Sequence, residues 1–145
     1  MKVSVLGEIR PGESRVALIP ALVEELVEKK GFDVAIESGA GMGSSFLDAQ
    51  YEEAGATVGD ISTVVSGADV VLWVAAPTKE EIAQLPEGQV VIGFMAPFSN
   101  PDAIKAMAER KITSFSMELV PRTTRAQRMD ALSSQATVAG YKAVL

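Results

Sequence analysis

The stretch that decides the fold is residues 70–116, VVLWVAAPTKEEIAQLPEGQVVIGFMAPFSNPDAIKAMAERKITSFS. Three apolar or β-branched runs alternate in it with two amphipathic stretches. In chain order they are Val70–Val74, Lys79–Leu85, Val90–Phe94, Asn100–Arg110 and Ile112–Ser116. Nearly continuous apolar runs are typical of strands that are buried on both faces. Strands that alternate with helices in this way predict βαβ units and a parallel sheet.

The same alternation extends toward the N-terminus. In chain order the predicted elements there are a strand Lys2–Leu6, a helix from Pro20 to Lys30 with Gly31 as its stop, a strand Asp33–Glu37, a short helix Leu47–Ala54 that begins near Asp48 and ends at Gly55, a very short strand at Thr57-Val58 and a short helix Ile61–Ser66. Toward the C-terminus, a polar loop, Val120–Met129, precedes a last helix from Asp130. The whole pattern predicts an α/β fold: a three-layer, flavodoxin-like or Rossmann-like open sheet, mostly parallel, with helices on both faces.

Composition limits the possible functions. The chain has 145 residues, 48% of them hydrophobic, and a formal net charge of −6. These values predict one folded domain, exclude a disordered acidic segment and argue against a general nucleic-acid surface. The sequence contains neither Cys nor His, so it lacks the commonest general base and the commonest metal ligands. Chemistry here must use carboxylates, Arg, Lys, hydroxyls or a cofactor, and we expect no metal.

The two ends of the chain bear on localisation and completeness. The apolar start breaks at Gly7 and lacks the long apolar region and cleavage site of a signal peptide. No run approaches the roughly 18–20 apolar residues of a membrane helix. We therefore expect a soluble, cytoplasmic polypeptide. The last predicted helix reaches Leu145 without a stop signal, and we expect this sequence to belong to a longer protein.

A glycine-rich loop, Gly39–Ser44, follows the second predicted strand. The dinucleotide-binding fingerprint requires a third glycine where Ser44 stands, and it follows the strand that opens a nucleotide-binding half. The alternative is a structural loop that needs positive φ at several positions. The structural interpretation is favoured over cofactor binding.

Arg15 lies between a loop and an apolar segment, beside the expected carboxyl end of the first strand. Ligands of open α/β sheets collect beyond the carboxyl ends of the strands. Arg15 is therefore a candidate for clamping a carboxylate or orienting a loop, and a surface ion pair with Glu8 or Glu13 is an equally good interpretation. Trp73, at the end of a predicted strand, is interpreted as a core residue rather than as a platform for a ligand.

The segment richest in recognition chemistry is Pro121–Gln135, PRTTRAQRMDALSSQ, which contains three arginines. Arg donates through a fixed fork, Gln both donates and accepts, and Asp accepts from hydroxyls or amides. This set suits the recognition of an amide, a ribose or a phosphate. The alternatives are a solvated basic loop and, for Asp130, an N-cap of the helix that contains Ser133.

Several of these motifs resemble a known family. The stretches KVSV (2–5), ESRVALIP (13–20) and ESGAG (37–41) are similar to the N-terminal region shared by alanine dehydrogenase and NAD(P) transhydrogenase. The segment Met117–Tyr141, with its motifs MELVPR, RAQ, MDALSSQ and AGY, resembles the nicotinamide-contacting loop of the NAD(H)-binding component of proton-translocating NAD(P) transhydrogenase. The resemblance covers essentially the whole chain.

The resemblance implies a two-subdomain component in which NAD(H) lies mainly on the second subdomain, which carries the glycine-rich fingerprint. Residues 1–129 correspond to the first subdomain, and 130–145 to the start of a helix that connects it to the second. The family's loop residues map onto Arg122, Gln127, Asp130 and Ser133 as cofactor-binding residues. The resemblance implies a catalytic role for Gln127 and Asp130, because the loop orients the nicotinamide. The implied reaction is hydride transfer between NADH and NADP+.

The resemblance also implies partners. They are the remainder of the NAD(H)-binding component, an NADP(H)-binding component and a membrane component through which protons are translocated. The family's NAD(H)-binding component is a homodimer, and the implied location is cytoplasmic, peripheral to the inner membrane. We expect the 145-residue chain alone to bind NADH very weakly and to catalyse nothing.

The sequence departs from the family at several positions. Arg128 stands where the family usually has a small polar residue, and Trp73 replaces a Lys that is common in both branches. The alanine dehydrogenase branch uses a Lys and a His in regions that here read LWVAAP (72–77) and GFMAP (93–97), which contain neither. Alanine deamination is therefore disfavoured. Two alternatives stay open: the N-terminal domain of an alanine dehydrogenase-like amino-acid dehydrogenase, and a non-catalytic regulatory module with the same fold.

Overall fold

The computed structural model describes residues 1–144, and six parallel strands form its central sheet. The strands are β1 Lys2–Val5, β2 Asp33–Glu37, β3 Thr57–Gly59, β4 Val70–Leu72, β5 Val90–Gly93 and β6 Thr113–Ser116. Their order across the sheet is β3-β2-β1-β4-β5-β6, and every neighbouring pair is parallel. This is the doubly wound, Rossmann-like order, in which the direction of winding reverses between β1 and β4. The predicted α/β fold is confirmed.

In the described part of the chain, six α-helices connect or follow the strands. They are α1 Pro20–Lys30, α2 Asp48–Glu53, α3 Ile61–Val65, α4 Lys79–Gln84, α5 Pro101–Glu109 and α6 Ala131–Val144. Helix α1 begins with Pro at its first position and ends where Gly31 adopts a left-handed φ of 64°, as the sequence predicted. Helix α4 begins with a capping box in which Thr78 and Glu81 satisfy each other's backbone N–H groups.

Helices lie on both faces of the sheet because successive side chains of each strand point to opposite sides. On β2, Val34 and Ile36 pack in a core cluster with residues of α1 and α2, whereas Ala35 belongs to a second cluster. The second cluster includes buried residues of α3, α4 and α5. Trp73, 4% exposed, is part of it, so its interpretation as a core residue is confirmed.

Two elements differ from the prediction by more than one residue at an end. Strand β4 ends at Leu72, two residues before Val74; the Trp73 N–H still donates to the Ile92 carbonyl of β5, but the N–H groups of Val74 and Ala75 are taken by a side chain from another loop. The predicted loop Val120–Met129 is partly helical, since Thr124–Met129 forms a 3-10 helix. Two further 3-10 helices span Met42–Ser44 and Met117–Leu119. The final residue of the predicted last helix, Leu145, lies outside the described residues.

Within residues 1–144, none of the helices combines the length and the apolar character needed to cross a membrane.

Candidate functional site

A cavity of about 470 Å³ lies at the carboxyl ends of β4 and β5. Its walls include Leu72 and Phe94 from these strand ends, Arg15 from the loop after β1, and Ala131 and Gln135 from the first turns of α6. It lies next to the point between β1 and β4 where the winding reverses, at the edge of the sheet beyond which ligands of doubly wound sheets collect. The cavity is therefore the candidate binding site of the domain.

Three of the four residues predicted as cofactor-binding lie together at the start of α6. The Asp130 carboxylate accepts hydrogen bonds from the Ser133 backbone N–H at 2.9 Å and from the Ser133 hydroxyl at 2.7 Å. Arg122 donates to the Ser133 hydroxyl oxygen at 3.1 Å, and its Nε lies 3.5 Å from Asp130 Oδ2. Asp130 is thus the N-cap of α6, as one interpretation of the sequence predicted. Asp130 directly precedes Ala131, which lines the cavity, whereas none of the four predicted residues is itself among the described residues of the cavity wall.

The electrostatics of this cluster favour an ionised carboxylate. The two hydrogen bonds from Ser133, with a smaller contribution from the Arg122 guanidinium, hold the pKa of Asp130 below its ordinary value. At neutral pH the Asp130 carboxylate can therefore accept hydrogen bonds but cannot donate them.

Gln127 is placed differently from the other three predicted residues. It belongs to the 3-10 helix Thr124–Met129 and is exposed. Its backbone carbonyl accepts a hydrogen bond from the Asp130 N–H at 3.3 Å, and within residues 1–144 its side chain makes no hydrogen bond. The Gln127 amide group therefore does not join the cluster around Asp130.

Arg15 forms an ion pair with Glu13, one of the two partners that the sequence suggested. Its Nε and terminal nitrogen donate to the two Glu13 carboxylate oxygens at 2.8 and 2.6 Å, a bidentate geometry. The pair lowers the pKa of Glu13 and raises that of Arg15. The remaining terminal nitrogen donates to Gln135 Oε1 at 3.0 Å, and the guanidinium carbon lies 6.0 Å from the centre of the Phe94 ring.

Glu8, the other partner that the sequence suggested for Arg15, makes a different contact. Its carboxylate oxygens accept hydrogen bonds from the backbone N–H groups of Val74 at 2.6 Å and Ala75 at 3.1 Å. Burial raises the pKa of Glu8, and the two hydrogen bonds only partly oppose that shift. The contact fixes the loop after β4 to the loop after β1.

Two other carboxylates hold loops at the same edge of the sheet. Glu37, at the end of β2, accepts a hydrogen bond of 2.7 Å from the Gly7 backbone N–H after β1. Glu118, after β6, accepts a hydrogen bond from the Ala96 backbone N–H after β5, where Ala96 has a positive φ of 47°. Together with Glu8, these residues form what we call the carboxylate clamps. Single-sequence patterns carry no signal for them, because each contact joins loops that follow different strands.

The glycine-rich loop is built around close packing. Of its three glycines, Gly39 has a positive φ of 80°, whereas Gly41 and Gly43 do not. The expectation of positive φ at several positions of the loop is therefore wrong. Gly41 and Gly43 are required for another reason: a Cβ on Gly41 would lie 2.5 Å from the Tyr51 ring, and one on Gly43 would lie 2.9 Å from the Ser14 carbonyl oxygen. The loop therefore packs tightly against its neighbours.

Comparisons with known proteins agree with this architecture. Residues 4–139 match the family model described as "Alanine dehydrogenase/PNT, N-terminal domain". The chain is 43% identical over 145 residues to NAD(P) transhydrogenase subunit alpha of Haemophilus influenzae, covering 100% of this chain and 28% of that protein. It is 34% identical over 145 residues to alanine dehydrogenase of Halomonas elongata, covering 99% of this chain and 38% of that protein.

A solved structure shows the same fold. The crystal structure of transhydrogenase from Sinorhizobium meliloti superimposes with a TM-score of 0.93 at 49% identity, covering 99% of this chain and 43% of that one. The sheet order and the site at its carboxyl edge define a Rossmann-like α/β domain. The chain belongs to the alanine dehydrogenase/PNT N-terminal domain family. It spans less than half the length of each of these relatives.

Proposed function

We propose that this chain supplies the nicotinamide-positioning segment of the NAD(H)-binding component of a proton-translocating NAD(P) transhydrogenase. The observation that carries the proposal is the cluster of Arg122, Asp130 and Ser133 beside the cavity at the carboxyl edge of the sheet. Its residues are those that correspond to the nicotinamide-contacting loop of the family. The relatives named as transhydrogenases support the same assignment.

The chemistry of the site fits a nicotinamide nucleotide. The cavity has a largely apolar lining that includes Leu72 and Phe94, which suits a flat aromatic ring. At its margin, the ionised Asp130 accepts hydrogen bonds from an amide NH2 or a ribose hydroxyl, and Arg122 donates to a carbonyl or hydroxyl oxygen. Asp130, Arg122 and Ser133 would hold the carboxamide and the ribose, and the cavity wall would hold the ring.

The bound nucleotide supplies the redox chemistry, which is hydride transfer between NADH and NADP+. The protein's contribution is orientation. Ser133 fixes the Asp130 carboxylate through two hydrogen bonds, so that its acceptor oxygens are directed before a ligand arrives. Gln127, exposed on the neighbouring 3-10 helix, would contribute its amide group to the nicotinamide from the open side. The apolar wall of the cavity excludes water from the ring.

The test is a comparison of rate with affinity in the complete transhydrogenase. Arg122→Ala and Gln127→Ala should each lower the hydride-transfer rate more than they weaken NADH binding, because both roles are positional. Rates are measured by stopped flow under single-turnover conditions, and affinity by fluorescence titration. Arg10→Ala, which changes an exposed arginine outside residues 117–141, is the control. Equal losses of rate and affinity, or an unchanged rate, would contradict the proposal.

The alternative within the family is an amino-acid dehydrogenase, which the alanine dehydrogenase relatives support. The regions 72–77 and 93–97 contain neither Lys nor His, so the substrate-binding groups of that branch are missing here. An assay of alanine-dependent NAD+ reduction by the full-length protein distinguishes the two activities. A non-catalytic module would show neither.

The proposed assembly follows from the same assignment. NADP(H) would be held by a separate component, and proton translocation would require a membrane component. The chain would then act at the cytoplasmic side of the inner membrane, within a homodimeric NAD(H)-binding component. Size-exclusion chromatography with light scattering on the full-length component tests the dimer.

A further inference from the structure

The segment formed by residues 121–144, which carries the proposed nicotinamide-contacting residues, is attached to the domain by few polar contacts. Among the residues that the structure describes, one hydrogen bond joins this segment to the preceding chain, and it runs from Arg15 to Gln135 Oε1. All other hydrogen bonds of the segment are internal, including those of Asp130 with Ser133. Helix α6 has no buried residue, and Ala126 is the buried residue of the adjoining 3-10 helix.

Arg15 is itself held rigidly. Glu13 engages its Nε and one terminal nitrogen in a bidentate pair, and the Arg15 backbone N–H donates to the same carboxylate at 3.0 Å. The guanidinium plane is therefore fixed before it reaches Gln135, so that the second terminal nitrogen presents one direction. A flexible lysine would hold the same charge without this fork.

Gln135 lies on the same turns of α6 as the cluster beside the cavity. Asp130 is the N-cap of the helix, and both Ala131 and Gln135 line the cavity. A hydrogen bond to Gln135 therefore limits rotation and tilt of the helix start, and with it the direction of the Asp130 carboxylate.

We propose that Arg15 is a positioning residue: through its hydrogen bond to Gln135 it fixes the start of α6, and so the nicotinamide-contacting cluster, over the cavity. This inference rests on the proposed function for the reaction it serves. It assigns Arg15 to bracing the helix, and Glu13 to orienting Arg15, rather than to contact with a ligand. Misplacement of a positioning group by about 1 Å can cost up to about 100-fold in rate.

The experiment uses the complete transhydrogenase with Arg15→Ala, Gln135→Ala and the double variant. We expect each single variant to lower the single-turnover rate about tenfold while NADH affinity changes less than about twofold. The double variant should be no slower than the singles, because both remove one shared contact. Arg10→Ala, an exposed residue of the same loop, is the matched control and should leave the rate unchanged.

A second readout does not depend on activity. Amide hydrogen exchange in residues 122–135 should accelerate in Arg15→Ala and Gln135→Ala, but not in Arg10→Ala. Gln135→Glu keeps an acceptor oxygen for Arg15 and should retain slow exchange. Arg15→Lys keeps the charge without the fork and should show exchange between that of wild type and that of Arg15→Ala. This comparison remains informative if Arg15→Ala proves poorly folded.

The outcomes separate this inference from the proposed function. If the rate and the hydrogen exchange are unchanged in Arg15→Ala while Arg122→Ala is slow, the positioning role of Arg15 is overturned and the proposed function stands. If exchange accelerates in Arg15→Ala but the rates of Arg122→Ala and Gln127→Ala are normal, the proposed function is overturned. The contribution of the Arg15–Gln135 contact to the reaction is then overturned with it. Parallel loss of NADH affinity and rate in Arg15→Ala would show direct ligand contact and overturn the positioning role.

Discussion

The carboxylate of Glu8 reaches from the end of β1 to the end of β4, where it accepts a hydrogen bond of 2.6 Å from the Val74 backbone N–H. Strand β4 ends at Leu72; the Trp73 N–H still donates to the Ile92 carbonyl of β5, and the next two N–H groups, those of Val74 and Ala75, donate to Glu8 instead of to a strand. The contact also places a carboxylate in partly buried surroundings, and desolvation raises the pKa of Glu8 above its ordinary value of 4.5.

The raised pKa of Glu8 predicts a specific pH dependence of stability. Above pH 4.5, the folded protein binds the Glu8 proton more tightly than the unfolded chain does. The contribution of Glu8 to the free energy of unfolding should therefore decrease as pH rises through the pKa in the folded state. Relative to Glu8→Gln, the wild-type protein should lose stability over this range, as measured by urea unfolding at a series of pH values.

Glu13 should contribute a pH dependence of stability opposite in sign to that of Glu8, and so serves as a control. Its pKa is lowered, chiefly by the hydrogen bonds from the Arg15 side chain. Its stabilising contribution is present above pH 4.5 and is lost as pH falls through the pKa in the folded state. Wild type should therefore gain stability relative to Glu13→Gln as pH rises. Differences of the same sign for both variants would contradict the assignment.

The close approach of two strand ends predicts a steric effect at Gly93. A Cβ at this position would lie 2.5 Å from the Trp73 carbonyl oxygen. Gly93→Ala should therefore destabilise the protein by about 1–3 kcal/mol, the usual cost of overpacking. Chemical denaturation monitored by Trp73 fluorescence measures this change in the free energy of unfolding.

Gly140 is the matched control for that substitution. It lies within α6, where an added Cβ meets nothing within 4 Å. Gly140→Ala should stabilise the helix by roughly 0.5–1 kcal/mol, because Ala has the higher helix propensity. Equal effects of the two substitutions would show that the contact with Trp73 does not determine the result.

Much of the fold follows from local sequence because its determinants are local. Apolar runs define the strands, and the bounds of β2 and α1 agree with the prediction, the latter through Pro20 and Gly31. The shorter β4 could not be predicted from local sequence, because the N–H groups of Val74 and Ala75 bind Glu8, a residue far away in the sequence.

In the site too, the contacts that the sequence could predict are those between residues close together in the chain. Asp130 and Ser133 meet because they are three residues apart at a helix start, and Arg15 meets Glu13 within one loop. The contact of Arg15 with Gln135 spans 120 residues and has no local signal.

The structure also predicts the behaviour of the 145-residue chain alone. Its glycine-rich loop uses Gly41 and Gly43 for close packing against Tyr51 and Ser14, so packing within the domain accounts for these glycines without a bound pyrophosphate. We therefore expect isothermal titration of the chain with NADH to show no micromolar binding, with circular dichroism confirming that the chain is folded. Micromolar affinity would contradict this and would place the phosphate-binding groups within residues 1–145.

The carboxylate clamps have a consequence for the thermodynamics of binding. Glu37, Glu8 and Glu118 fix the loops after β1, β4 and β5 when the chain folds. The conformational entropy of those loops is thus lost before any ligand arrives, and a ligand that meets this edge does not have to order them. The entropy change on binding should therefore contain little contribution from ordering these three loops.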